Sequence, residues 1–311
     1  MKLSAAPLAW LPAVALLLQG CATAPEAGLA SAPAAAATAE QRVERTGPAL
    51  WKVADADTTI YLFGTVHALP EGTEWYGGPI ETALAGADEL VTEIPAAAAQ
   101  DPAAQQMVMG KAMLPEGEVL RDKLSEADRA SYEAALGTLG MPPAGFDPFE
   151  PWFAGMNLGV LPLLQAGYSA ESGVEAIVEQ LAPAAAKRTG LESLAEQIDL
   201  FDNLPEDSQI AFLMVTADNI EQIAPLMQLM VADWLEGDAD GLAELMNQGL
   251  TDPVLADALL YDRNARWAEW IDARLDSPGT VFLAVGAGHL AGARSVQDYL
   301  AGRGLAVTRI Q

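Results

Sequence analysis

The sequence predicts an α/β (α+β) domain with a central mixed β-sheet, built from the N- and C-terminal segments around a large, mainly helical middle insertion. Two observations predict the sheet. A strand, a helix and a second strand follow one another over residues 58–94, and another apolar strand occupies residues 280–285. A third observation predicts the insertion, because residues 98–250 carry the boundary signals of successive helices. We expect one domain over residues 46–311.

The first elements of this domain are predicted to form a β-hairpin. Residues 50–53 and 58–63 flank the turn-forming sequence Asp55-Ala56-Asp57. The second strand is an almost continuous run of β-branched and aromatic residues, which is typical of a strand buried on both faces. A helix over residues 79–87 and a strand over residues 89–94 then complete a βαβ unit.

The middle segment is predicted to fold as short helices around an apolar core. Ser125 stands three residues before Asp128, which is the spacing of a helix N-cap, and Gly140 is followed by Pro142. Two groups of large apolar residues in this segment, one of methionines and one of aromatic residues, are interpreted as core. The aromatic group could instead form a loop that covers a ligand-binding crevice at the sheet edge. They are Met214, Met227, Met230 and Met246, and the aromatic group Phe146, Phe149, Trp152 and Phe153.

The C-terminal segment returns to alternating helices and strands. A helix over residues 262–275 carries Trp267 and Trp270, which are interpreted as packing residues. Pro278-Gly279 ends this helix before the apolar strand at residues 280–285. A further helix at residues 294–303 and a strand at residues 305–310 complete the predicted sheet.

The N-terminus has the pattern of a bacterial lipoprotein. Residues 1–20 form an apolar signal peptide that ends directly before Cys21, the only cysteine of the chain. Cys21 is therefore predicted to be lipidated, and the alanine- and proline-rich residues 21–45 are predicted to tether the domain to a membrane. Because Ala22 is not an aspartate, we expect an outer-membrane anchor that faces the periplasm. Ordinary secretion with a free thiol is the alternative.

Composition excludes several classes of function. The net charge of −27 disfavours nucleic acid as a partner, because phosphate binding needs clustered lysine and arginine. The chain has no Gly-x-Ser-x-Gly motif, and its one cysteine is assigned to the anchor, so serine and cysteine nucleophiles have little support. The membrane is an expected partner through the predicted lipid anchor.

The two histidines of the chain stand in the same local pattern. His67 ends the sequence Gly64-Thr65-Val66-His67 after one apolar strand, and His289 ends Gly286-Ala287-Gly288-His289 after another. Ligands bind beyond the carboxyl ends of strands in open α/β sheets, and Glu93 ends a third strand there. Two imidazoles and a carboxylate are suitable ligands for zinc, manganese or cobalt. A hydrogen-bonded histidine in a turn is the structural alternative for each imidazole.

These motifs, in this order, make the chain resemble the TraB/PrgY/GumN family, which includes the TIKI metalloproteases and is related to the erythromycin-esterase and ChaN-like proteins. The resemblance covers residues 50–311. It depends on the two histidine motifs, Glu93, Gly190-Leu191-Glu192 followed by Glu196-Gln197, Arg263-Asn264 and Trp267.

The resemblance implies a metal-dependent hydrolase with a peptidase as the expected activity, so that a peptide or small-molecule substrate is an expected partner. It implies a divalent ion, manganese, cobalt or zinc, held by His67, Glu93 and His289. It further implies catalytic roles for Glu93, Arg263, Asn264 and Glu192. Residue type alone would favour an exposed ion pair for Arg263 and an exposed helix position for Asn264. A non-catalytic metal- or haem-binding lipoprotein and a metal-independent histidine and glutamate esterase remain the alternatives.

Overall fold

A six-stranded mixed β-sheet forms the centre of the protein, whose computed structural model describes residues 47–247 and 253–311. The strand order is β6-β4-β7-β2-β1-β8, and β3 and β5 form a separate two-stranded ribbon. The strands are β1 (Leu50–Ala54), β2 (Thr58–Thr65), β3 (Leu69–Pro70), β4 (Glu89–Thr92), β5 (Tyr168–Ser169), β6 (Lys187–Gly190), β7 (Gly279–Gly286) and β8 (Val307–Arg309).

Helices connect the strands and form most of the middle of the chain. Ser125 and Ser193 accept hydrogen bonds from backbone N–H groups at two helix starts, and Ser193 with Glu196 forms a complete capping box. The helices are α1 (Gly78–Ala85), α2 (Ala96–Ala99), α3 (Pro102–Ala112), α4 (Leu120–Lys123), α5 (Glu126–Thr138), α6 (Pro151–Gln165), α7 (Val174–Leu181), α8 (Leu194–Asp202), α9 (Glu206–Asp218), α10 (Ile223–Leu235), α11 (Ala239–Asn247), α12 (Pro253–Ala256), α13 (Asp262–Leu275) and α14 (Val296–Gly302). A π-helical turn, Asp257–Tyr261, leads into α13, and a 3₁₀ turn, Ala287–Leu290, follows β7.

The sheet separates two hydrophobic clusters, which explains why its central strands are apolar on both faces. In β7, Val281 and Leu283 pack with α13 and α14 on one face. Phe282 and Ala284 belong to the larger cluster, which contains the middle helices. Successive side chains of a strand point to opposite faces, so a strand covered on both faces must be apolar at nearly every position.

Parallel pairing brings the ends of four strands to one edge of the sheet. Strand β7 lies between β2 and β4 and runs parallel to both, with Thr65 opposite Gly286 and Thr92 opposite Ala284. Strand β6 extends the same parallel set beyond β4, with Gly190 opposite Thr92. The residues that directly follow these four strands therefore lie close together.

The predicted fold class is confirmed, with two differences in detail. Strand β6 comes from the segment that was predicted to be helical, because its sequence Lys-Arg-Thr-Gly has no apolar run to indicate a strand. The predicted strand over residues 89–94 ends at Thr92. The four methionines are buried as predicted, and the aromatic group packs in or against the larger hydrophobic cluster rather than forming a loop cover.

The predicted signal peptide, the lipidation site Cys21 and the tether over residues 21–45 lie outside the described residues. In the described part of the chain, no helix has the length and apolar character needed to cross a bilayer.

Candidate functional site

Three side chains from three strand ends surround one point beside Gly286. A Cβ atom placed on Gly286 would lie 3.1 Å from Oε1 of Glu93, 3.5 Å from Cδ2 of His289 and 3.7 Å from Nε2 of His67. Glycine therefore leaves the space between these three groups free of a side chain. The three side chains lie together because β2, β4 and β7 run parallel and end at the same edge of the sheet, where the sequence predicted that they meet.

Glu93 is a buried carboxylate that is held by a buried arginine. Its Oε2 accepts a hydrogen bond of 2.6 Å from Nη2 of Arg263, and its Oε1 accepts one of 2.7 Å from the backbone N–H of Gly286. Burial alone would raise the pKa of Glu93, but the positive charge of Arg263 outweighs burial and holds this pKa far below its ordinary value. Glu93 is therefore ionised at neutral pH.

Glu192 completes a buried pair of carboxylates around Arg263. It lies just beyond β6 and accepts hydrogen bonds of 3.0 Å from Nε of Arg263 and 3.2 Å from Nε1 of Trp267. The amide nitrogen of Gln197 donates to Oε2 of Glu93 at 2.9 Å and to Oε2 of Glu192 at 3.2 Å. Two carboxylates that share one guanidinium and one amide are fixed in position relative to each other.

All three nitrogens of the Arg263 guanidinium are held by protein groups. Nε donates to Glu192, Nη2 donates to Glu93, and Nη1 contacts the carbonyl oxygen of Leu259 and Nε2 of His289. These contacts use four of the five N–H donors of the guanidinium, and Nη2 also lies 2.9 Å from Oε2 of Glu192. Arg263 is therefore held in place mainly by the two carboxylates.

His289 is a neutral imidazole whose tautomer is set by its neighbours. Nη1 of Arg263 can only donate, so Nε2 of His289, 3.1 Å away, accepts. Nδ1 then carries the proton and donates it to Oδ1 of Asn264 at 2.6 Å, while Asn264 donates to the carbonyl of Arg294 at 2.8 Å. Complete burial and the charge of Arg263 lower the pKa of His289 to about 3.

His67 has a different partner, the carboxylate of Glu175 on α7. Nδ1 of His67 contacts Oε1 of Glu175, and the hydroxyl of Thr65 donates to the same oxygen. Burial lowers the pKa of His67, but the charge and hydrogen bond of Glu175 outweigh burial and raise the pKa to about 9. The other ring nitrogen, Nε2, faces the point beside Gly286.

A cavity of about 400 Å³ reaches the site from outside. His67, Glu93 and Gln197 line its inner end, and Glu175 lines it beside His67. Pockets of this size accept small molecules or one side chain of a larger substrate. His67 and Glu93 are the members of the cluster that line this cavity together with Gln197.

The donor chemistry at the point beside Gly286 fits a divalent metal ion. Oε1 of Glu93 and Nε2 of His289 are 3.8 Å apart, which suits two ligands that each lie about 2.1 Å from a shared ion. Across the described residues, no group of three or more His, Cys, Asp or Glu side chains is already arranged around an ion position. An ion bound by His289 would replace the hydrogen bond from Arg263.

The structure places the residues named from the sequence in one cluster: His67, Glu93, Glu192, Arg263, Asn264 and His289. The exposed positions that residue type favoured for Arg263 and Asn264 are wrong, because only 4 % and 1 % of these residues is exposed. The glutamate that holds His67 was not named from the sequence. Glu175 comes from the middle segment, where an isolated glutamate in a helix gives no signal of its partner.

The region of the chain that matches a known family contains both histidine motifs and all six strands of the sheet. The model of the TraB/PrgY/gumN family matches residues 49–309. No curated protein and no solved structure matches the chain. The family match extends over most of the sequence and includes every residue of the cluster beside Gly286. The chain therefore belongs to the TraB/PrgY/gumN family.

Proposed function

We propose that the protein is a hydrolase that acts on peptides, with a divalent metal ion bound between His67, Glu93 and His289. The observation that carries this proposal is the convergence of the three side chains beside Gly286, at the inner end of an accessible cavity. A divalent ion at this place would supply a bound water of lowered pKa as the nucleophile. Manganese, cobalt and zinc are all compatible with imidazole and carboxylate ligands.

The residues around the ligands would keep these three side chains in position. The backbone N–H of Gly286 and the guanidinium of Arg263 orient the Glu93 carboxylate. Asn264 fixes the tautomer that leaves Nε2 of His289 without a proton. Because all three of its guanidinium nitrogens contact protein groups, we assign Arg263 a positioning role through Glu93 and Glu192, in place of direct contact with substrate.

A metal-independent hydrolase is the second candidate, and two contacts favour it. Arg263 already donates to Nε2 of His289, the atom that a metal would need. The Glu175 carboxylate keeps His67 protonated at neutral pH, with Nε2 directed toward the cavity end. In this form His67 would donate a proton to the leaving group, and ionised Glu93 would orient the attacking water.

The test compares glutamine substitutions of two glutamates, one at the first residue of strand β4 and one directly after its last residue. Glu93→Gln changes the carboxylate beside Gly286, and Glu89→Gln changes an equally buried carboxylate at the opposite end of the strand, where it pairs with Arg274. Metal content is measured by elemental analysis, and activity is measured on a peptide library with and without chelator. We expect near-stoichiometric metal and chelator-sensitive hydrolysis in the wild type and in Glu89→Gln. Both should be lost in Glu93→Gln.

Other results would identify the competing functions. Hydrolysis that survives exhaustive chelation but is lost in Glu93→Gln would replace the metal-dependent proposal with the metal-independent one. Bound metal or a haem absorption band, with no turnover of any peptide, would indicate a non-catalytic binding protein.

We further propose that lipidated Cys21 anchors the protein to the outer membrane, facing the periplasm. The cysteine directly after an apolar signal-like segment supports this location. Fatty-acid labelling of the wild type and of Cys21→Ser tests it. Equal labelling, or a soluble periplasmic wild type, would contradict the anchor.

A further inference from the structure

A second cavity, of about 840 Å³, lies apart from the histidine cluster. Its walls come from residues 47–48, 74–79 and 235–238 and from Gln311, and none of these residues lines the cavity beside His67. A cavity of this size can hold a whole small molecule. A ligand in it would therefore occupy a site separate from the proposed hydrolase site.

Two aromatic side chains form a corner in the wall of this second cavity. The rings of Trp75 and Tyr76 stand nearly perpendicular, at 88°, with their centroids 5.7 Å apart. The ring of Trp75 also packs against Phe63 and Trp234, at centroid distances of 5.6 and 5.7 Å. Aromatic rings attract cations, and their carbon surface can be covered by methylene groups. The corner therefore suits an alkyl chain that carries a positive charge.

The charged groups of the second cavity are acidic. Glu74, Glu236 and Asp238 line it, and no lysine or arginine is among the described residues that do so. Glu74 and Glu236 are exposed and form no ion pair in the described part of the chain. Glu74 precedes α1 and Glu236 follows α10, so the two carboxylates belong to different parts of the wall. They suit a ligand with two cationic groups.

Gln311 provides independent evidence for a ligand with N–H donors. Only 4 % of this residue is exposed, and its Nε2 donates to the carbonyl oxygen of Pro48 at 3.0 Å. Its Oε1 accepts no hydrogen bond from the described residues, and this oxygen is not occluded. A Cβ atom placed on Gly78, another residue of the cavity wall, would lie 3.9 Å from it.

The amide of Gln311 cannot be reversed to remove this unpaired acceptor. Reversal would place Oε1 against the carbonyl oxygen of Pro48, where two acceptors would meet. An N–H donor from a ligand in the cavity would satisfy Oε1. A primary ammonium group carries three such donors, whereas a quaternary ammonium group carries none.

We propose that the second cavity binds a linear aliphatic diamine or polyamine. Its ammonium groups meet the carboxylates of Glu74 and Glu236, and one of them donates a hydrogen bond to Oε1 of Gln311. The methylene chain between them covers the aromatic corner of Trp75 and Tyr76. This site is independent of the proposed hydrolase function, because it shares no residue with the cluster beside Gly286.

The test compares three probes that differ only in charge. They are 1,5-diaminopentane, 1-aminopentane and 1-pentanol, and Kd is measured by calorimetry with the whole protein at a salt concentration of about 0.15 M. We expect the diamine to bind about fivefold more tightly than the monoamine, because it forms a second exposed ion pair. The neutral alcohol should bind most weakly. In Glu236→Gln the diamine should bind about as weakly as the monoamine does in the wild type.

Two further variants separate the cavity from the general negative charge of the protein. Gln311→Met removes the acceptor, so the diamine should bind severalfold more weakly. Glu116→Gln makes the same change as Glu236→Gln at an exposed glutamate that lines neither cavity, and it should keep the wild-type Kd. Equal Kd values of diamine and monoamine in the wild type, or equal weakening in Glu116→Gln and Glu236→Gln, would overturn the proposal.

Glu93→Gln tests the location of the bound diamine. Glu93 lines the cavity beside His67 and is absent from the wall of the second cavity, so this variant should keep the wild-type Kd for the diamine. Weaker binding in Glu93→Gln, together with unchanged binding in Glu236→Gln, would place the diamine beside His67 and overturn the assignment. Because no readout requires turnover, failure of the proposed hydrolase would leave this result unaffected.

Discussion

The two histidines occupy equivalent places in the fold but opposite electrostatic environments. Each follows a central parallel strand through a Gly-x-x-His sequence, and the two strands are paired along their whole length. His67 contacts the carboxylate of Glu175, and its pKa rises to about 9. His289 contacts Arg263 and Asn264 in full burial, and its pKa falls to about 3.

The Gly-x-x-His motif determines where each imidazole lies, and the neighbouring helices determine its protonation state. The strands deliver both imidazoles to Gly286, whereas α7 supplies the carboxylate for one and α13 supplies the arginine and amide for the other. At neutral pH, His67 is therefore protonated and His289 is neutral. Pairs of groups whose pKa values are moved apart are characteristic of acid and base chemistry.

The largest loss of stability is expected from removing the positive charge of Arg263, which contacts His289. Arg263→Met leaves Glu93 and Glu192 as two buried carboxylates without their shared partner. We expect the free energy of unfolding, measured in urea at pH 7, to fall by about 3–5 kcal/mol. The loss should shrink at low pH, where both carboxylates can be protonated.

Arg266→Met is the control for this change. Arg266 lies on the same helix and contacts the same Glu192, but its side chain is 56 % exposed. Its loss should cost no more than about 1 kcal/mol. Equal losses of unfolding free energy in the two variants would contradict the larger contribution expected of the buried arginine.

The next effect concerns the tautomer of His289. Asn264→Leu removes the acceptor of the Nδ1 proton and the donor to Arg294. We expect a loss of about 1–3 kcal/mol in unfolding free energy, because a buried N–H is left unpaired. Nitrogen NMR of the ring should show a mixture of tautomers. Asn219→Leu, at a partly exposed amide that donates to the carbonyl of Val215, should leave both properties unchanged.

The smallest change in stability is expected from replacing the carboxylate that contacts His67. The same variant tests most directly whether the two histidines differ in pKa. Glu175→Gln removes the charge that raises the pKa of His67, so this pKa should fall well below about 9 in an NMR titration of metal-free protein. In the wild type, the raised pKa stabilises the fold below pH 6.5, and this contribution is lost as pH rises through about 9. The variant should lack that decline.

Glu179→Gln is the control for the His67 prediction. Glu179 stands one turn further along α7 and pairs with Arg188 instead of His67. Its replacement should leave the pKa of His67 near the wild-type value. A wild-type His67 that titrates near its ordinary value of 6.5 would contradict the contrast between the two imidazoles.

The sequence was sufficient to predict the sheet and the meeting of the histidine motifs, because buried parallel strands have a distinct apolar pattern. It was not sufficient for β6, a short polar edge strand, or for Glu175, whose partner depends on how α7 packs. Arg263 and Asn264 were assigned to the site by family resemblance. Their residue types alone favoured exposed positions, because a buried guanidinium is stable only with partners that the fold provides.

The placement of β7 between β2 and β4 determines when the sheet can form during synthesis of the chain. Residues 279–286 form the central strand, so β1 and β2 cannot join β4 and β6 in one sheet until the ribosome has passed residue 286. Long-range parallel pairing of this kind forms slowly. A growing chain that ends before β7 lacks His289 and the Gly286 backbone that holds Glu93. The cluster beside Gly286 therefore assembles only after residue 289 has been synthesised, more than 220 residues after His67.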